Sequence, residues 1–209
     1  MPPGQPPAKR RRRDPEQRIE EITAATERVI AERGIEGLTH RAVAAEAGVP
    51  LGATTYHFAT KDDLIAAALR RSVERFGAYL DEWVARRPGL TAEQCAVLLA
   101  DAVLPPEDGP ERDRQVVEFE LYAAAMRRPA LREIAEQHHR LSVRALAHYT
   151  DADTAEAAGA ALMGVSLRAL AAPEPPTRAE VERVLRRILV PNPALGADAG
   201  TGEGAEAGR

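Results

Sequence analysis

Leu38-Thr39-His40-Arg41-Ala42-Val43-Ala44-Ala45-Glu46-Ala47-Gly48-Val49 is the stretch on which the fold turns. Thr39 is a helix cap, because its hydroxyl can accept from a free N–H of the first turn. Val43, Ala44 and Ala47 give an inward face, and Gly48 stops the helix by permitting a left-handed backbone. That leaves a helix of barely two turns, 40–46, followed by a second short one from about Pro50 to His57. Two short helices joined at a glycine are what a helix-turn-helix needs, since the second must be held across the first to enter a major groove. Ala47 lets the two approach, and Val49 tucks beneath them.

Upstream, Asp14-Pro15-Glu16-Gln17 is a helix start with an Asp cap and Pro at the first helical position. Ile19, Ile22, Val29 and Ile30 then recur at helical spacing as far as Gly34, which sets helix one at 15–33. Downstream, Thr60 caps a long helix whose apolar stripe is Leu64, Ile65, Leu69, Val73, Phe76, Leu80 and Trp83, ending near Arg87-Pro88-Gly89. Breaks at Pro105-Pro106, Pro129, Thr150-Asp151 and Pro173-Glu174-Pro175-Pro176 delimit helices near 91–103, 111–127, 130–149, 154–171 and 178–189. No segment alternates with period two. The expected class is all-α, with a head at 14–60 and a larger helical body at 61–190. Residues 1–13, Pro-rich and then basic, and residues 191–209, which hold five of the 15 glycines, are expected to be disordered flanks.

Composition agrees. Of 209 residues 41 are Ala and only 4% are aromatic, a balance that favours helix over sheet. Cys95 is the single cysteine, so neither an intrachain disulfide nor a paired-cysteine zinc site can form. The longest uncharged apolar stretch, Ala157 to Leu167, falls well short of the roughly 20 residues a bilayer requires. No apolar region follows the basic cluster Lys9 to Arg13, so a cytoplasmic protein with no membrane partner is expected. The net charge of −4 gives no general affinity for nucleic acid, but five consecutive cations stand at one end.

The string at 38–49, with Gly52, His57-Phe58, Thr60-Lys61 and Leu64 after it, resembles the DNA-binding region of the TetR family of transcriptional regulators. The resemblance implies a homodimer on an inverted-repeat operator in double-stranded DNA, a ligand pocket within the body, and repression relieved by a small molecule. Carried over position by position, Thr39 caps helix two against a phosphate and Arg41 can reach a guanine edge. The recognition segment comprises Leu51, Gly52, Ala53, Thr54, Thr55, Tyr56 and His57, and His57 and Lys61 match backbone-contacting positions. Lys61 stands out in its own right, being one of only two lysines. The chain departs from the family pattern at Pro50, where Ser or Thr is usual, and at Thr55, where a Tyr is usual. Either Thr55 or the neighbouring Tyr56 can then supply the missing phosphate contact. Ala53 and the Thr54 methyl are placed to touch thymine methyls.

In the body the large side chains are few enough that they can line a cavity as readily as fill a core. Trp83, Phe119, Glu120, Tyr122, Met126 and Met163 are the candidate ligand contacts. Helix six is apolar nearly all round, and Glu120, four residues after Val116, falls on an apolar face where an unpaired carboxylate is costly. An internal arginine or a ligand can satisfy it; if a ligand, the aromatic surroundings favour a flat cation. Ala157, Ala160, Ala161 and Gly164 on one helix, and Val181, Val184, Leu185 and Ile188 on the last, are the expected halves of a four-helix dimer interface. No phosphate loop, nucleophile elbow or metal-spaced histidine pair occurs, so neither an enzyme nor a cofactor is expected. The other reading is a helical adaptor that binds protein through its head, which specific DNA retention would distinguish.

Overall fold

The computed structural model describes residues 15–190; the Asp14 cap, the basic cluster Lys9 to Arg13 and the flanks at 1–13 and 191–209 lie outside the described residues. Among the described residues the regular structure is helical throughout: α1 (Pro15–Arg33), α2 (His40–Ala47), α3 (Leu51–His57), α4 (Lys61–Ala85), α5 (Ala92–Val103), α6 (Pro110–Arg127), α7 (Arg132–Leu146), α8 (Ala152–Ala171) and α9 (Arg178–Leu189), with one 3-10 turn at Pro129–Leu131.

The helix starts follow the capping residues. Thr39 accepts from the Ala42 N–H at 3.1 Å, Asp151 accepts from the Thr154 N–H at 3.0 Å, and Thr91 and Thr177 form reciprocal boxes with Gln94 and Glu180. At Thr60 the hydroxyl accepts from the Asp63 N–H (3.1 Å) while the Asp63 carboxylate accepts from the Thr60 N–H (2.8 Å), which holds the Asp63 carboxyl below its ordinary range. The sequence pattern carries helix seven to 149, but the helix ends at Leu146. Tyr149 is drawn into the core instead, its ring edge-on to Trp83 at 5.6 Å and its hydroxyl donating to the Arg87 carbonyl at 3.2 Å.

The described residues form two compact units that divide between Arg71 and Ser72. The first turns of α4 belong to the first unit, where Leu64, Ile65, Ala68 and Leu69 are buried together with Ile22, Ala25, Val29 and Ile30 of α1 and Leu38 and Val43. Arg71 closes this unit by pairing with Glu20 at 2.7 Å and with Glu27, both on α1. In the second unit Trp83, Cys95, Ala96, Ala100, Leu146, Ala155, Ala158, Val181, Leu185 and Leu189 form one core. Burial pushes the Cys95 thiol up to about 11. Alanine and cysteine on α5 and α8 admit the bulky face of α9, and Arg178 and Arg186 of α9 add ion pairs to Asp101 and Glu93 of α5.

Candidate functional site

The first unit presents a polar surface made by α2 and α3. Gly48 adopts φ 63° and ψ 36°, and the Val49 N–H returns to the Ala44 carbonyl at 3.0 Å, so the chain reverses within one residue. Arg41 is exposed on α2, and Leu51, Gly52, Thr55 and Tyr56 are exposed on α3, while Ala53, His57 and Lys61 are half-buried. Tyr56 is 84% exposed, with its ring edge-on to His57 at 5.0 Å. Thr55 turns its hydroxyl back onto its own helix, 3.3 Å from the Gly52 carbonyl. Lys61 opens α4 beside the Thr60–Asp63 cap.

The second unit holds a partly open cavity of about 140 Å³ between α4, α5, α6, α7 and α8. Phe76, Tyr79 and Trp83 come from α4, Phe119 and Tyr122 from α6, and Leu162 and Met163 from α8. Gly159 of α8 is buried on this wall, and a Cβ there would stand 3.3 Å from Val143 and 3.4 Å from the His139 ring.

The polar part of the wall is a charged cluster on α6 and α7. Glu118 has a side chain only 11% exposed, and its Oε1 accepts from Arg114 Nη1 at 2.7 Å. His138 Nε2 lies 3.7 Å from the same oxygen, too far for a hydrogen bond. Burial pushes the Glu118 carboxyl up, but His138 and the Arg114 guanidinium together outweigh it and hold the group below its ordinary value. The His138 ring is stacked on Phe76 (4.1 Å, 9°) and stands edge-on to Tyr122 (5.6 Å, 89°). The Tyr122 hydroxyl donates to the Ala135 carbonyl at 2.9 Å, and burial pushes it up to about 12. The Arg114 guanidinium carbon lies 5.9 Å from the Tyr79 ring centroid.

Residues 22–68 match the family described as bacterial regulatory proteins, tetR family, and residues 90–191 match the Tetracyclin repressor-like C-terminal domain. A solved member of the TetR family, SCO1917 from Streptomyces coelicolor A3, is 40% identical, with a TM-score of 0.68 over 83% of this chain and 98% of that one. The chain belongs to the tetR family. That membership makes it one of a family of transcriptional regulators, not of enzymes. The multidrug binding protein EbrR, solved with ethidium, is 42% identical, with a TM-score of 0.69 over 82% of this chain and 98% of its own; it is also solved with proflavin and with malachite green. The HTH-type transcriptional regulator PksA of Bacillus subtilis (strain 168) is 35% identical over 111 residues, 53% of this chain; the match spans about half of that relative, 51%.

Within this tetR-family chain the residues expected to form sites divide. Trp83, Phe119, Tyr122 and Met163 do line the cavity. Met126 does not: it lies at the last turn of α6 and is 72% exposed. Glu120 is half-buried away from the cavity, and the carboxylate in the wall is Glu118, two residues earlier and therefore on another side of α6. In the head, Thr54 is fully buried with its hydroxyl on the Leu51 carbonyl at 2.8 Å, so its methyl is not available to a base edge. Of the expected dimer residues, Val181 and Leu185 lie in the core of their own subunit. Sequence reasoning misses Arg114, Glu118 and His138, although Arg114 and Glu118 stand at i and i+4, a spacing that puts opposite charges together on a helix.

Proposed function

We propose that this regulator is a homodimeric repressor that holds an inverted-repeat operator with α2 and α3 and releases it when a flat aromatic cation occupies the cavity. The observation that carries the ligand class is the cavity wall itself, which the aromatic side chains of Phe76, Tyr79, Trp83, Phe119 and Tyr122 line together with the buried carboxylate of Glu118. Ring faces and a desolvated carboxylate both attract positive charge and both reject anions. The likeness to EbrR, solved with three cationic dyes, supports the same class.

On the DNA side, Arg41 is the base-reading cation, and Tyr56 makes the phosphate contact that Thr55, turned onto its own helix, does not. Thr39, Gly52, His57 and Lys61 are the remaining contacts to the DNA backbone. The dimer forms through faces of α8 and α9 left outside the core: Ala157, Ala160, Gly164 and Leu167 recur at helical spacing and are exposed, as is Val184.

Fluorescence titration of ethidium into the full-length protein and into Glu118→Gln tests the ligand class. Saturable binding, weakened about tenfold by the substitution, is expected when one desolvated charge is removed from the wall. Absence of saturable binding, or indifference to Glu118→Gln, refutes the assignment.

A further inference from the structure

The carboxylate that marks the cavity for cations is already in use. Glu118 accepts from Arg114, one turn earlier on the same helix, at 2.7 Å, and that guanidinium also lies 5.9 Å from the Tyr79 ring. Arg114 thus occupies both features, a buried carboxylate and an aromatic face, that recommend the wall to an aromatic cation. We propose that Arg114 is a built-in occupant of the cation subsite, and that a cationic ligand binds by displacing its guanidinium from Glu118. The inference rests on reading the cavity as an aromatic-cation site, and it adds the residue that sets the affinity and the charge selectivity of that site.

Mobility decides which partner gives way. Glu118 is 11% exposed, so turning its charge out to solvent asks more of it than of its partner. His138 is fixed by its stack on Phe76 and its contact with Tyr122. Arg114 is 30% exposed, on a long flexible stem, and can turn its head to solvent where it is fully hydrated. Exchange of one cation for another on Glu118 keeps the buried charge paired at every stage, which a neutral ligand cannot do.

The consequence is a penalty on affinity: ethidium must compete with an internal cation, and removing the competitor should tighten its binding. The test is a fluorescence titration without DNA of wild type, Arg114→Met, Glu118→Gln and the double variant, using ethidium and its uncharged dealkylated parent, 3,8-diamino-6-phenylphenanthridine. Arg114→Met should bind ethidium about fivefold more tightly than wild type, the upper end of what freeing a partly exposed ion pair supplies. The uncharged analogue should change by less than about twofold, and the gain should vanish in the double variant. Since Arg114→Met takes the guanidinium from a buried carboxylate and leaves only His138 beside it, each variant is checked by thermal melting; if it does not fold, Arg114→Gln, which retains a neutral donor to Glu118, should show the same selective gain at smaller size. Glu118-dependent binding to wild type with equal or weaker binding to the folded Arg114 variant overturns this inference and leaves the cation site standing. Absence of ethidium binding to wild type and to every variant overturns both.

Discussion

Two glycines, four residues apart in the head, should respond in opposite directions to the same substitution. Gly48 has φ 63°, and a Cβ built on it meets nothing within 4 Å. Gly48→Ala therefore introduces no clash, only the cost of holding an L-residue in the left-handed region, about 1–2 kcal/mol. Gly52 sits in the first turn of α3 without a positive φ, and a Cβ there also meets nothing within 4 Å. Gly52→Ala removes a helix-weakening residue and should stabilise the head by about 0.5–1 kcal/mol. The assay is native-state hydrogen exchange at the Val43 and Phe58 amides, where each 1.4 kcal/mol is a tenfold change in exchange rate. Operator affinity supplies the second axis. If Gly52 lets the DNA backbone approach closely, its alanine variant should lose about five- to tenfold in operator binding while becoming more stable, through displacement of one neighbouring hydrogen bond to phosphate. Unchanged protection in Gly48→Ala would refute the requirement for a left-handed turn. Unchanged operator affinity in Gly52→Ala would remove Gly52 from the contact surface.

Arg41→Ala should cost about 1–3 kcal/mol on the operator and far less on unrelated DNA, measured by competition; equal losses on both would reduce Arg41 to a phosphate contact. Deleting residues 1–13, which carry five cations in a row, should weaken binding to all sequences and flatten its dependence on salt, by about 0.9 in slope for each phosphate that the cluster neutralises. An unaltered slope would exclude the cluster from the interface. Acid should act through Glu118, whose folded carboxyl titrates below the ordinary value of 4.5. The stability contributed by the ionised form is complete above that ordinary value and disappears as pH falls through the lower, folded one. Urea midpoints of wild type and Glu118→Gln should therefore differ near pH 7 and converge only as the pH falls below the ordinary carboxylate range, and a gap that widens in acid would contradict the assignment.

The helices and the helix-turn-helix are legible in the sequence because each boundary is decided locally: Thr39 and Thr60 as caps, Gly48 as the turn, and the prolines at 105–106, 129 and 173–176 as breaks. Side-chain direction is harder. In the seven residues of α3 there is too little periodicity to fix a phase, so Thr54, alanine-sized in its apolar part, reads as exposed when it is the residue that anchors the helix. In α6 apolar residues lie almost all round, no face is singled out, and Glu118 and Glu120 cannot be told apart by hydrophobicity. The discriminating signal is charge pairing: an arginine, Arg114, lies four residues before Glu118, and none lies four before Glu120. On α9 the apolar seam at Val181 and Leu185 exists, but an apolar stripe does not say whose core it enters; the small residues of α5 and α8 take it up within the subunit.

Ethidium also intercalates into DNA, so its release of the regulator from an operator can arise without any occupation of the cavity. Linkage separates the two causes. If ethidium in the cavity weakens operator binding by some factor, the operator must weaken ethidium binding to the protein by the same factor, whatever the structural route between the sites. A hundredfold release corresponds to a coupling of about 2.7 kcal/mol, and that value has to reappear in the reciprocal titration. Malachite green, the dye of the three bound by EbrR that is least planar, serves as the second probe. Glu118→Gln is the control that intercalation cannot imitate, because the substitution leaves the DNA unchanged. Release by ethidium should therefore require about tenfold more dye for Glu118→Gln than for wild type, following the loss in cavity affinity. Equal dye requirements for the two proteins, or release without the reciprocal loss of dye affinity, would assign the effect to the DNA and refute an inducer role for the cavity.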